Sequence, residues 1–98
     1  MERVDDVVPD HVYQAVMQVL AEQLGPAQLE QVDVRVGQDH DGDSVIFVDV
    51  YHTLTEAAFE PRQIYRLTRL LRQCLTNFGE QRHPHIRHHF HEKQRVAS

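Results

Sequence analysis

Five of the eight histidines in this 98-residue chain fall between His83 and His91, and the alternating run from Arg82 to His91 sorts them by side. His83, His85, Arg87, His89 and His91 project from one face of an extended segment, and Pro84, Ile86, His88 and Phe90 from the other. Imidazoles beside carboxylates are the donor set for zinc or nickel. A His-x-His pair on a strand holds its rings about 7 Å apart at the root, so one ion is shared only if the rings lean together. His83, His85 and His89, with Asp49 from a neighbouring strand, form the candidate Zn or Ni set. Arg87 opposes it, because a fixed positive charge repels a dication. Without a metal, the same histidines are surface groups pairing with Asp33 and Asp49, or part of an interface.

A second basic feature is Arg62, Arg66, Arg69 and Arg72, which recur at helical spacing as a ridge flanking an apolar stripe, with Tyr65 and Leu70 also off the stripe. Such a ridge is a solvated face, or a surface for phosphate or an acidic partner. There is no G-x-x-G clamp and no Gly-rich phosphate cradle, and the sheet offers no aromatic stacking pair beyond Phe47 and Tyr51, so nucleic acid is not the expected partner. Cys74 lies within an apolar stripe, where a thiol is buried rather than nucleophilic. No Ser-His-Asp or Cys-His arrangement is present, and an enzyme is the least supported class. Asp39, Asp41 and Asp43 evoke a calcium loop, but Gly42 falls in the wrong place and Val50 stands where the bidentate Glu is needed. A polar hairpin tip explains them.

These residues need elements to hold them. Val12, Ala15, Val16, Val19, Leu20 and Leu24 share one helical face, with Asp10 as N-cap and with Gly25, as a left-handed C-terminal residue, and Pro26 as the stop. Gln31 to Val36 and Val45 to Tyr51 alternate as strands. If Val36, Val34 and Val32 face Ile46, Val48 and Val50, the loop between them is His40-Asp41-Gly42, a turn ending on a left-handed glycine. After residues 53 to 60, a loop with a short helical turn, Pro61 opens a second helix. Its stripe is Ile64, Leu67, Leu71, Cys74, Leu75 and Phe78, and Gly79 closes it. Arg82 to His91 is the third strand. The predicted fold is α+β, a two-layer α-β-β-α-β sandwich with two helices on one face of a three-stranded mixed sheet. The third strand runs parallel to the second by right-handed crossover, its neighbour left open. His88 then turns inward between Ile86 and Phe90 as a core or edge histidine. His11 and His52 sit at element ends with no assigned role.

Size and charge bound the rest. The chain is one domain, with residues 1 to 8 a loose lead-in that docks Val7 and Val8 on the core, 9 to 91 the core, and 92 to 98 a frayed tail. Residues 1 to 60 carry 13 Asp/Glu against Arg3 and Arg35, and residues 61 to 98 carry 8 Arg/Lys against Glu80 and Glu92, so the halves differ in sign. Falling pH makes the histidine-bearing end more positive still. One cysteine, no signal-peptide pattern and no long apolar run make a cytoplasmic location the expectation, without membrane contact.

The element order over roughly residues 10 to 91 is similar to that of the cytoplasmic domain of cation diffusion facilitators and to the N-terminal domain of the ribosome maturation factor P family. The first likeness implies dimerisation and metal binding through His and Asp, with His85, His89 and Asp49 in ligand roles; the second implies ribosome binding. The segment Phe78-Gly79-Glu80-Gln81-Arg82-His83-Pro84-His85-Ile86-Arg87, after an Arg/Leu-rich helix, resembles small uncharacterised bacterial proteins encoded beside helical HEPN-type proteins. That resemblance implies a partner-binding, toxin-neutralising role. The leading expectation is a non-enzymatic interaction module, self-associating or binding a partner protein. Its contacts are Arg35, Phe47, Tyr51 and Arg87 on the open sheet face and Arg62, Arg66, Arg69 and Arg72 on the helix edge. A divalent-metal module and RNA or ribosome binding through the Arg ridge are the alternatives.

Overall fold

The computed structural model describes residues 8 to 92. The chain runs α1 (Asp10–Gln23), β1 (Leu29–Gln38), β2 (Ser44–His52), a single 3-10 turn (Glu56–Ala58), α2 (Pro61–Asn77) and β3 (His83–His89). It is an α+β sandwich with both helices on one face of a mixed sheet in the order β1-β2-β3. β1 and β2 are antiparallel, β2 and β3 parallel. The open question of the third strand's neighbour is thereby settled: β2 is central. Among the described residues no helix is long and apolar enough to cross a membrane.

The hairpin register follows the alternation, with Val32, Val34 and Val36 opposite Val50, Val48 and Ile46. The tip is tied by the Asp39 N–H donating to the Asp43 carbonyl and the Gly42 N–H to the Asp39 carbonyl. Gly42 has φ +85°, the left-handed position that completes a three-residue loop. α2 also ends as its sequence dictates. Gly79 is left-handed at φ +84°, the Glu80 N–H donates to the Leu75 carbonyl and the Gly79 N–H to that of Thr76, a Schellman closure of the last turn.

Several local expectations are corrected. Asp10 is the first helical residue rather than the cap. Pro9 caps α1 from an extended backbone, its carbonyl accepting from the Val12 and Tyr13 N–H groups. α1 stops by passing into extended backbone at Leu24, and Gly25 is not left-handed. Phe78 is half exposed instead of in the stripe, because the helix closes at Phe78 and turns the ring outward. β3 ends at His89, beyond which the His91 N–H donates to the Leu54 carbonyl. Val8 packs on the core as expected, whereas Val7, the rest of the lead-in and residues 93 to 98 of the tail lie outside the described residues.

The core lies between sheet and helices. Val12, Val16 and Leu20 of α1 and Leu67, Leu71 and Leu75 of α2 pack on Val32, Ile46, Val48 and Val50. Burying this stripe is what fixes which sheet face stays outside.

Candidate functional site

The register arranges the outer sheet face as a grid. Across β1, β2 and β3 its rows are Gly37, Val45 and His83; Arg35, Phe47 and His85; Asp33, Asp49 and Arg87; Gln31, Tyr51 and His89. The face is less open than alternation alone implies, since Val45 and Asp49 are 0% and 3% exposed.

Asp49 organises the grid. Its two carboxylate oxygens accept from Arg87 in a fork, Oδ1 from Nε at 2.8 Å and Oδ2 from Nη2 at 3.0 Å. Oδ1 also lies 2.7 Å from His89 Nε2. Burial pushes the Asp49 carboxyl up, but the hydrogen bonds from Arg87 and His89 and their charges outweigh it and hold the group below its ordinary value. The carboxylate is therefore an acceptor only, and His89 Nε2 carries the proton it shares. The His89 ring in turn stacks on Tyr51, 4.5 Å between centroids and 13° from parallel.

Phe47 is the other fixed point. Arg35 Cζ lies 4.6 Å and Arg87 Cζ 4.8 Å from its ring centroid, cation–π contacts that bracket the aromatic ring between two guanidinium groups. The ring also leans over Gly37. A Cβ built there comes within 2.5 Å of Phe47 Cε2, so this glycine serves close approach rather than backbone freedom. Gly37→Ala is therefore expected to push the Phe47 ring out of its bracket while leaving the sheet intact, visible as a loss of ring-current shifts at Arg35 and His85 with little change in thermal midpoint.

The proposed metal set is not assembled. Asp49 is engaged by Arg87 and His89, and His83 and His85 face each other edge-on at 5.2 Å between centroids. Among the described residues, the group of three or more ligand atoms within 4.8 Å of one another is Asp39, Asp41 and Asp43. There the hairpin itself uses Asp39, whose Oδ1 accepts from the Asp41 and Asp43 N–H groups, both at 2.9 Å. The Asp43 hydrogen bond, with that of Asp41, holds its carboxyl below the ordinary value against a smaller opposing effect of burial.

Spacing alone assigned nothing to His52, yet it is the most enclosed polar residue on the inner face, 2% exposed. Its parity with Val48 and Val50 was the available signal. His52 Nε2 is 2.9 Å from His88 Nδ1, and His88 Nε2 is 2.8 Å from Thr68 Oγ1. This chain links β2, β3 and α2. His52 also stacks on Phe90 at 4.9 Å and meets Phe59 edge-on at 5.1 Å. Its Nδ1 is buried with no partner. His88 faces inward as expected and is partly buried. Burial, then the charges of His52 and His89, lowers its pKa to about 4, and burial, then His89, lowers that of His52.

The four arginines of the ridge are exposed. They do not flank the buried stripe of Leu67, Leu71 and Leu75 but stand opposite it, facing away from the sheet. The two expected contact surfaces thus occupy opposite sides of the sandwich. Cys74 is buried, which raises its thiol pKa and leaves it unreactive. Compared with family models, curated proteins and solved structures, nothing matches the chain.

Proposed function

We propose that the protein is a non-enzymatic interaction module whose outer sheet face receives an acidic segment of a partner protein. The observation that carries this is the bracket at Phe47. Arg87 is already neutralised by Asp49, but Arg35 makes no ion pair among the described residues and holds its guanidinium against the ring. An aromatic anchor flanked by an arginine without a counter-ion is the composition of interface hot spots. Tyr51 stacked on His89 extends the same surface. Arg87 and His89, fixed by Asp49, lose little freedom on binding, which favours association through preorganisation.

Charge decides between a partner and a second copy. Two such faces meeting with the Phe47 bracket on the two-fold axis bring Arg35 and Arg87 close to their own equivalents, and like charges in an interface cost several kcal/mol. A carboxylate-rich segment meets no such repulsion. Sedimentation velocity at neutral pH is expected to give a monomer across the micromolar range. A dimer that Phe47→Asp dissolves would show that the face is spent on self-association, and would overturn the proposal.

A further inference from the structure

α2 carries its charges against its own dipole. Its first turn holds no acidic residue, its last turn no basic one, and its N-cap makes no side-chain hydrogen bond. Helices gain from the reverse arrangement, carboxylates at the positive N-terminal end and cations at the C-terminal end. Here Arg62 stands in the first turn, Arg66, Arg69 and Arg72 follow, and no Asp or Glu occurs anywhere from Pro61 to Asn77. None of the four makes an ion pair among the described residues. Tyr65 lies in their midst, at i+3 from Arg62, i−1 from Arg66 and i−4 from Arg69, and is 72% exposed. At the far end Arg69 and Arg72 border a shallow hollow with Gln73, Thr76 and Asn77. Glu60 at the N-cap, Pro61 at the first position and the Schellman close serve the fold, but four outward arginines with no carboxylate among them do not, and their surface is shaped by something other than folding.

We propose that this outward face of α2 docks a single-stranded nucleic acid. From Arg62 to Arg72 the helix rises about 15 Å, a length along which one strand's backbone passes all four guanidinium groups. Four guanidinium forks, each able to take one phosphate, supply the backbone contact. The positive end of the α2 dipole adds to the field at Arg62. Tyr65 offers a bare ring face on which one base stacks, without regard to sequence. Arg35 and Arg87 already cover the Phe47 ring, whereas the free face of Tyr65 can take a base, which favours a polynucleotide here over an acidic polypeptide. The site lies across the sandwich from Phe47 and does not depend on it.

The test is fluorescence anisotropy with a labelled 20-nucleotide oligo(U), with polyglutamate as a second probe. Four phosphate contacts are expected to weaken binding about 50-fold between 50 and 200 mM salt, and Arg66→Ala/Arg69→Ala to reduce that dependence to about 7-fold. Tyr65→Ala is expected to cost about 5-fold or more in affinity at either salt concentration. Gln63→Glu, which supplies the missing first-turn carboxylate, is expected to raise the thermal midpoint by a few degrees while weakening oligo(U) binding. Phe47→Ala is expected to change nothing here. The proposal is overturned if oligo(U) does not bind at 50 mM salt, if the double arginine variant binds with unchanged salt dependence, or if polyglutamate binds as tightly as oligo(U) and Tyr65→Ala affects neither.

Discussion

His88→Leu is expected to destabilise the protein by about 2 kcal/mol, and His52→Leu/His88→Leu by less than half of that. The single substitution removes the partner of His52 Nε2, and both nitrogens of a ring that is 2% exposed are then unsatisfied. Stranding one buried polar group costs about 1–3 kcal/mol, whereas replacing both partners by apolar groups of similar size is close to neutral. Urea denaturation of the four proteins in this cycle measures the coupling between the two imidazoles. Additive losses would show that the rings do not depend on each other.

The same pair sets the response to acid. In the unfolded chain each imidazole takes up a proton below about pH 6.5, whereas folded His88 does so only near 4, because burial and then the charges of His52 and His89 oppose it. Its contribution is complete above pH 6.5 and is lost as pH falls from there to about 4, where the unfolded state binds more protons. The loss is about 2 kcal/mol after discounting for the solvent that still reaches the ring. Asp49 and Glu80, both held below their ordinary values, add to acid loss only at the lower edge of that window. The denaturation midpoint of the native protein is expected to be level from pH 8 to 6.5 and to fall below it, with a flatter course in the double leucine variant. Parallel profiles for the two proteins would contradict buried neutral imidazoles.

Arg87→Ala is expected to cost about 2–3 kcal/mol, and Asp49→Asn under about 1 kcal/mol. The asymmetry comes from exposure: the Arg87 side chain is 45% exposed and that of Asp49 4%. Without Asp49 the guanidinium turns to water. Without Arg87 a buried carboxylate keeps only His89, and breaking a buried pair from the cationic side leaves the costly charge inside. The sign with pH follows. Asp49 is held below its ordinary pKa, so its pairing stabilises the fold above the carboxylate range and is lost as pH falls through it. The Arg87→Ala deficit is therefore expected to shrink as pH falls through the carboxylate range, because the unpaired Asp49 of the variant protonates before the paired Asp49 of the native protein and its burial is then no longer penalised. A deficit that stays constant would mean that Asp49 is solvated.

What sequence could and could not convey follows from the range of the forces involved. The β1–β2 register was legible because alternation and turn chemistry at Gly42 both act locally and agree. The ends of α2 were legible because Pro61 and Gly79 each have one conformational use. The capping of α1 was not, because Pro9 supplies a carbonyl rather than a side chain, a backbone contact that leaves no residue signature. The partition of the histidines into outer and inner sets was legible from parity for β3, and the same parity applied to His52 would have placed it inside. The surroundings of the candidate metal ligands were hidden for a different reason. Spacing brings Asp49 beside His89 but carries no record of the Arg87 fork, which depends on β3 pairing with β2 in one particular register. Burial of Val45 and Asp49 on the outer face is likewise a tertiary property.

The outer face is tested most directly by selecting displayed random peptides on the native protein and counter-selecting on Arg35→Ala/Phe47→Ala. Both substitutions fall on the outer face away from the core, so the variant folds and its circular dichroism checks that. Enrichment of peptides rich in Asp and Glu, with affinity for the native protein at least tenfold above that for the variant, is the expected result. Peptides that bind both proteins equally, or an enriched set with no excess of acidic residues, would contradict an acidic partner at the Phe47 bracket.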